Sequence, residues 1–299
     1  MTFQHIKVRQ LSGAGGAEIT AVNLASDFSN DVAAEIRRAL ARFLVVTVPD
    51  QPLDDAALAR FTSRLGPFGI EPYVEGQETH PNVLAVVKEA DETKRINFGG
   101  NWHSDWSFQE APPSYTLLHA RQLPPHGGDT LFANQYLAFE SLSPAMQRLL
   151  LGLRAAHSAR RAYGPQSLFR DPNHLRSMKI KTTPQAFAEV VHPVVRVHPD
   201  TGKPALYVNK VYTTRFEDMT EAESAGLMNF LFEHAVRYEF IVRVVWQPQM
   251  LTIWDNRALQ HFAVNDYDGY RREMHRTTVR GEAPRPALAA GGQNIAASA

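Results

Sequence analysis

The stretch Trp102-His103-Ser104-Asp105-Trp106, together with Gln260-His261 far downstream, decides how this chain is interpreted. A histidine and a carboxylate two residues apart on a β-strand point to the same face, so both can reach one metal ion. A second histidine from a distant strand would complete a set of two imidazoles and one carboxylate. Such a set leaves three coordination positions open and is typical of non-haem Fe(II) oxygenases. The pattern predicts an oxidising metalloenzyme.

The His-x-Asp triplet is weak evidence when it is taken alone. With 12 histidines in 299 residues, chance predicts roughly 0.6 such triplets. A second triplet, His198-Pro199-Asp200, lies in a Pro-Asp-Thr-Gly-Lys run that is typical of a tight turn between two strands. The first triplet is bracketed by two tryptophans, as a partly buried pocket wall would be. We therefore take His103 and Asp105 as metal ligands and His198 as a hairpin residue.

The composition excludes several functional classes. Basic and acidic residues balance at 31 each, which leaves no general footprint for nucleic acid or an anionic membrane. No apolar run approaches the ~20 residues of a membrane helix, and we see no signal peptide. The absence of cysteine excludes disulfides, thiolate zinc sites, iron–sulfur clusters and a cysteine nucleophile. We expect a cytoplasmic protein without a nucleic-acid or membrane partner.

Short apolar runs separated by turn signals predict a mainly β fold with flanking helices. Many short strands of this kind favour a jelly-roll sandwich or barrel with the helices packed outside it. Gly13-Ala14-Gly15-Gly16 lacks the third glycine and the helix of a dinucleotide fingerprint, so we reject that interpretation. Strands are predicted over 43–48, 83–87, 114–120, 130–133, 192–197, 205–208, 239–246, 250–254 and 274–279, and helices over 31–42, 54–64, 135–151 and 220–236.

We expect a single domain over residues 1–283. Within it, residues 160–188 form a polar, proline-containing stretch that is long for a plain connector. We interpret this stretch as an active-site lid. Residues 284–299 are rich in Ala, Gly and Pro, and we expect a disordered tail there.

Three further motifs accompany the ligand candidates. Gly127-Gly128-Asp129-Thr130 follows a proline-rich turn and offers the Thr130 hydroxyl, and Trp254-Asp255-Asn256-Arg257 ends a strand shortly before His261. In the last strand, Arg272 and Arg276 share one face. An inward arginine is costly unless it meets an anion, and its planar fork suits a carboxylate.

The order of these motifs resembles the taurine dioxygenase (TauD/TfdA) family of Fe(II)/2-oxoglutarate-dependent dioxygenases over about residues 5–283. The resemblance implies a double-stranded β-helix, a cupin-like jelly roll. It implies that His103, Asp105 and His261 bind Fe(II), and that Thr130 and Arg276, with Arg272 nearby, bind the distal carboxylate of 2-oxoglutarate. The implied reaction consumes O₂ and 2-oxoglutarate, releases succinate and CO₂, and hydroxylates a substrate carbon.

The resemblance is less close at the positions that would contact the substrate. Gly99 stands where the taurine enzymes have an asparagine, and Glu71 aligns with their sulfonate-binding histidine; a carboxylate there would repel a sulfonate. Tyr212, Trp102 and Phe108 are our candidates for substrate contacts. They suggest a small anion with an apolar body: an alkanesulfonate such as taurine, an alkyl sulfate or an aryloxyalkanoate.

Two other functional classes are kept as alternatives. A catalytically silent jelly-roll module could bind a small molecule or a partner, but it would not need an intact ligand set. A zinc hydrolase with the same ligands would leave Thr130 and Arg276 without a reason to flank the site. Related proteins are often dimers or tetramers, so a homo-oligomer is expected from the resemblance.

Overall fold

The computed structural model describes residues 2–92, 97–167, 169–171 and 176–287. Its strands are β1 (Lys7–Ser12), β2 (Gly15–Thr20), β3 (Val45–Val48), β4 (Leu84–Lys88), β5 (Tyr115–Gln122), β6 (Thr130–Asn134), β7 (Arg154–Ser158), β8 (Glu189–Pro193), β9 (Val195–Val197), β10 (Pro204–Leu206), β11 (Thr213–Phe216), β12 (Ile241–Val244), β13 (Leu251–Asp255), β14 (Leu259–Ala263), β15 (Arg272–Val279) and β16 (Arg285–Pro286). Its α-helices are α1 (Asn30–Phe43), α2 (Asp55–Leu65), α3 (Gln135–Glu140), α4 (Pro144–Leu151), α5 (Arg160–Tyr163) and α6 (Glu221–His234), and two short 3-10 helices cover Pro184–Phe187 and Tyr238–Phe240.

A seven-stranded sheet forms one layer of the fold, in the order β1-β2-β3-β13-β5-β15-β4. Its neighbours are antiparallel except for β2 and β3. A three-stranded sheet, β12-β6-β14, belongs to the opposing layer. Phe132 from β6 packs against Trp254 from β13 with ring centroids 5.4 Å apart, within one apolar cluster that joins the two sheets.

Side-chain alternation on the central strands explains why both faces of the large sheet are covered. Leu118 faces the small sheet, whereas its neighbour Leu117 packs in a second cluster with Ile36 of α1 and Phe61 of α2. Successive side chains of a strand point to opposite faces, so a fully apolar strand needs cover on both sides. The predicted double-stranded β-helix, mainly β with flanking helices, is confirmed.

Local capping sets where the helices begin. The Ser29 side chain caps α1, and the Asp54 side chain caps α2. The single helix predicted over 135–151 is wrong: it is two helices, because Pro144 cannot continue a helix and instead starts α4 behind the Ser143 cap.

Several strand predictions also need correction. The strand predicted over 192–197 is two strands, β8 and β9, and the one over 239–246 is reduced to β12 behind a 3-10 turn. The N-terminal hairpin of β1 and β2 was not predicted; its turn uses the glycines around Gly15, whose φ of 126° suits glycine. β7 and β11 were missed as well.

The predicted lid segment is described in part. It contains α5 and the 3-10 helix at Pro184–Phe187, while residues 168 and 172–175 lie outside the described residues. At the predicted tail, β16 pairs with β9 instead of departing from the fold, and residues 288–299 lie outside the described residues. Among the helices of the described ranges, none combines the length and apolar character needed to cross a bilayer.

Candidate metal centre and active site

Three buried side chains from distant parts of the chain converge at one point: His103, Asp105 and His261. Asp105 Oδ1 lies 3.5 Å from His103 Nε2 and 3.9 Å from His261 Nε2. Both distances are shorter than twice a metal–ligand bond of about 2.1 Å. All three donor atoms lie within 4.8 Å of one another, so the three side chains can hold one metal ion. Two imidazole nitrogens and one carboxylate oxygen form a donor set that fits Fe(II) with open positions.

The backbone holds the two histidines as a pair. His103 N donates to His261 O at 3.2 Å and His261 N donates to His103 O at 2.8 Å, which is the exchange of an antiparallel bridge. The expected strand through Asp105 is wrong, because the chain turns directly after this bridge. Ser104 Oγ donates to Leu259 O at 2.7 Å, and Trp106 has a φ of 45°. Asp105 therefore reaches the ion from a turn.

Both imidazoles are arranged to offer Nε2. His103 Nδ1 lies 2.7 Å from the Asn101 carbonyl, so Nδ1 carries the hydrogen and Nε2 keeps its lone pair. Burial and the neighbouring His103 lower the pKa of His261 to about 3. His261 is therefore a neutral imidazole, the form that binds metals.

The Asp105 carboxylate is held in its ionised form. Burial alone would raise its pKa, but the Arg276 guanidinium and the two imidazoles hold the pKa of Asp105 well below its usual range. Its other oxygen, Oδ2, accepts a hydrogen bond of 2.6 Å from Thr116 Oγ1. The charge needed for a ligand is therefore present.

Arg276 is a buried arginine that already has anionic neighbours. Its Nη1 lies 3.2 Å from Glu71 Oε2, and its Nη2 lies 3.1 Å from Asp105 Oδ1 without the alignment of a hydrogen bond. Glu71 also accepts hydrogen bonds from Trp106 Nε1 at 2.7 Å and from Thr278 Oγ1 at 2.8 Å. The pairing of Glu71 with Arg276 was not predicted from the sequence.

Arg272 is equally buried, but no carboxylate of the described residues forms an ion pair with it. Its Nε and Nη2 have no hydrogen-bond partner among the described residues. The guanidinium lies 5.7 Å from the ring of Trp246, whose Nε1 donates to Thr130 Oγ1 at 3.0 Å. A Cβ on Gly128 would come within 3.0 Å of Arg272 Nε, so the glycine leaves room for the arginine. Free buried donors beside a hydroxyl fit an anionic carboxylate.

A cavity rich in aromatic side chains opens beside the ligand set. Tyr212 lies in its wall, with its ring 5.0 Å from Phe108 and 6.0 Å from His103. Trp102 packs instead against Phe262 at 5.6 Å, and Trp106 takes the position in the wall. Three other aromatic wall residues were not predicted, although one adjoins Gly99-Gly100 and two belong to the predicted lid: Phe98, Tyr163 and Phe169.

The second His-x-Asp triplet does not join the metal centre. His198 closes the turn between β9 and β10, where its N donates to Lys203 O at 2.9 Å, as predicted. Its Nε2 lies 2.9 Å from Asp255 Oδ2, and Asp200 pairs with Arg257 at 2.9 Å. These contacts hold the turn that precedes His261.

The comparisons with known proteins agree with this geometry. The model of the taurine catabolism dioxygenase TauD, TfdA family matches residues 7–278. An alkylsulfatase of Acinetobacter baylyi is 33% identical over 93% of this chain and 86% of its own length. An alpha-ketoglutarate-dependent sulfate ester dioxygenase of Pseudomonas putida is 34% identical, with 93% and 91% covered. Neither alternative class, the silent module or the zinc hydrolase, is supported.

The likeness extends to three dimensions. The crystal structure of a taurine dioxygenase from Burkholderia xenovorans superimposes with a TM-score of 0.78 at 31% identity, covering 94% of this chain and 93% of that one. The fold, the motif order and the relatives agree over nearly the whole length. The chain belongs to the taurine catabolism dioxygenase TauD, TfdA family, and it is an Fe(II)- and 2-oxoglutarate-dependent dioxygenase.

Proposed function

We propose that this dioxygenase hydroxylates a small organic monoanion whose apolar body lies in the aromatic cavity and whose charged group contacts Arg276. The observation that carries the proposal is the position of the Arg276 guanidinium. It lies beside Asp105 and over the rings of Trp106 and Phe98, two residues of the cavity wall. An arginine at the edge of an apolar cavity orients an anion while the rings bind the rest of the substrate.

Within this proposal, His103 Nε2, Asp105 Oδ1 and His261 Nε2 hold Fe(II). When bound, the iron and 2-oxoglutarate supply the oxidising power, and the protein supplies orientation and a dry cavity. Neutral His261 and the ionised Asp105 carboxylate need no proton release before they bind the metal.

The contacts of the two arginines favour Arg272 as the residue that binds 2-oxoglutarate, whereas the resemblance implied Arg276. Arg272 and Thr130 flank the Trp246 ring, and the Thr130 hydroxyl accepts from Trp246, so its hydrogen remains available to donate. Arg276 lies four residues further along β15, about 13 Å away at the rise of a strand. We therefore assign the distal carboxylate of 2-oxoglutarate to Arg272 and Thr130, and the substrate anion to Arg276.

Glu71 narrows the substrate class. Its carboxylate takes one nitrogen of Arg276, so the guanidinium presents its remaining donors but little net charge. A dianion such as a phosphate monoester would bring a second negative charge that Arg276, already paired with Glu71, cannot compensate. A monoanion, whether an alkyl sulfate, an alkanesulfonate or an aryloxyalkanoate, matches the site better. Sulfate esters come first among these because of the two curated relatives.

Turnover of matched substrates tests the proposal. Hydroxylation of the carbon that bears the sulfate, sulfonate or aryloxy group gives an unstable product, which collapses to a carbonyl compound and releases that group. We expect succinate and sulfate in equal amounts from a medium-chain alkyl sulfate, and no more than the uncoupled rate from the alkyl phosphate of the same length. Asp105→Ala is the inactive control. Succinate release that none of the three monoanion classes accelerates would contradict the proposal.

We also propose that the protein is cytoplasmic and forms a homo-oligomer. The absence of cysteine is compatible with the reducing cytoplasm. A dimer or tetramer is expected from the resemblance, and light scattering of the purified protein measures it.

A further inference from the structure

The second oxygen of the Asp105 carboxylate is already occupied by the protein. Thr116 Oγ1 donates to Asp105 Oδ2 at 2.6 Å, while Oδ1 faces His103 and His261. We propose that Thr116 is a positioning residue that keeps Asp105 a one-oxygen ligand and so preserves the coordination position that 2-oxoglutarate needs. The inference rests on the proposed ligand set.

The hydrogen bonds around Thr116 allow only one direction for its hydroxyl hydrogen, which is towards Asp105. Asn256 Nδ2 donates to Thr116 Oγ1 at 2.8 Å, so the hydroxyl accepts from Asn256 and directs its single hydrogen to Asp105. The Asn256 oxygen in turn accepts from Trp254 Nε1 at 3.0 Å and from the Asp105 backbone N at 3.4 Å. Because two donors meet that oxygen, the amide nitrogen must face Thr116. The chain of donors therefore ends at Oδ2.

Burial makes this arrangement hard to replace. Thr116 and Asn256 are 0% and 1% exposed, so bulk water cannot substitute for the hydroxyl. Deprived of Thr116, Oδ2 would be a buried anionic oxygen without a donor. The Asp105 carboxylate would then rotate so that Oδ2 also contacts the metal, since carboxylates bind metals through either one or two oxygens.

The coordination count shows why the second oxygen matters. Three protein atoms would leave three positions open on a six-coordinate ion, and a chelating 2-oxoglutarate would need two of them. A carboxylate that binds through both oxygens removes one of these positions. The Thr116 hydrogen bond therefore favours cosubstrate binding and does not simply strengthen the metal site.

The arrangement also gives a role to part of the Trp-Asp-Asn-Arg motif. Asp255 and Arg257 bind each other and the turn that contains His198 and Asp200, on the side away from the ligands. Asn256 alone among the three polar residues of the motif hydrogen-bonds to Asp105 and Thr116. We therefore assign Asn256 to the same positioning chain.

The test compares Thr116→Val with Thr252→Val. Thr252 lies on the neighbouring strand β13, is 0% exposed, and its Oγ1 has no partner among the described residues. The two variants lose the same atom from similar surroundings, and only one loses contact with Asp105. Mn(II) binding is measured by calorimetry, and 2-oxoglutarate binding by the charge-transfer band of the anaerobic Fe(II) protein.

For Thr116→Val we expect Mn(II) affinity equal to or above that of Thr252→Val, 2-oxoglutarate affinity about tenfold lower, and a shifted band. Thr116→Ser should restore both cosubstrate readouts. If Thr116→Val does not fold, Thr116→Ala takes its place. Equal cosubstrate affinity in the two valine variants, or loss of metal and cosubstrate affinity in the same proportion, would overturn the inference. Metal binding that survives Asp105→Ala would instead refute the proposed ligand set.

Discussion

Arg272 and Arg276 lie on one face of the same strand, and both are buried, yet their surroundings differ. Arg276 is within 3.2 Å of Glu71 and 3.1 Å of Asp105. Arg272 has two nitrogens without a partner among the described residues. Burying a guanidinium without a hydrogen-bond partner costs free energy. A protein that retains such an arginine is expected to use it to bind an anionic ligand. The unpaired donors of Arg272 indicate a binding site for an anion. The paired donors of Arg276 indicate that this arginine also stabilises the fold.

The largest effect is expected from breaking the paired arginine. Arg276→Met removes the cation beside two buried carboxyl groups, Glu71 and Asp105, so the free energy of unfolding of the metal-free protein should fall by about 3–5 kcal/mol. Chemical denaturation measures it. Arg196→Met is the control, because Arg196 is buried but its ionic partner Glu282 is 42% exposed. A similar loss of stability in both variants would mean that the ion pairs of Arg276 contribute no more to the free energy of unfolding than the ion pair of Arg196.

The next effect concerns the cosubstrate. Arg272→Met should raise the Kd of 2-oxoglutarate about 100-fold or more, equivalent to about 2.7 kcal/mol, because a buried charge-assisted contact is lost. The anaerobic charge-transfer titration measures the Kd. Arg272→Lys, which keeps the charge but not the fork, should recover part of the affinity. Unchanged cosubstrate affinity in Arg272→Met would indicate that Arg276, and not Arg272, binds the distal carboxylate of 2-oxoglutarate.

A smaller effect of opposite sign separates the two arginines most clearly. In the metal-free protein, Arg272→Met should raise the free energy of unfolding by about 1–2 kcal/mol, because an apolar side chain of similar size replaces a buried cation with two nitrogens that have no hydrogen-bond partner among the described residues. Thermal unfolding without cosubstrate measures it. Destabilisation by Arg272→Met would show that its donors are satisfied in the folded protein.

The smallest effect should come from the carboxylate that neutralises Arg276. Glu71→Gln keeps the size of the side chain and removes its charge, so KM for a monoanionic substrate should fall about three- to fivefold, or 0.5–1 kcal/mol. Steady-state succinate release measures it. Glu75→Gln is the matched control, since Glu75 pairs with Lys181 and is 66% exposed in its side chain. Equal KM values in both variants would show that the charge of Glu71 does not affect substrate affinity.

The two His-x-Asp triplets show how much of the site could be predicted from the sequence. Locally, His103-Ser104-Asp105 and His198-Pro199-Asp200 are the same pattern. Turn residues around Asp200 and the flanking tryptophans were enough to separate them. The turn that delivers Asp105 was not predictable, because it depends on Ser104 reaching the Leu259 carbonyl 155 residues away. The ion pair of Glu71 with Arg276 and the hydrogen bond of Thr116 to Asp105 were not predictable for the same reason.

The sequence by itself determined the family, the fold class, the metal-ligand candidates and the presence of inward-facing arginines on the last strand. These follow from residue types, their order and the two-residue period of a strand, all of which are local. Only the tertiary structure decided which arginine is paired, which tryptophan lines the cavity and which oxygen of Asp105 is free. Those properties depend on donors and acceptors that the fold brings together from distant segments. A hydrogen bond or an ion pair has no period along the chain.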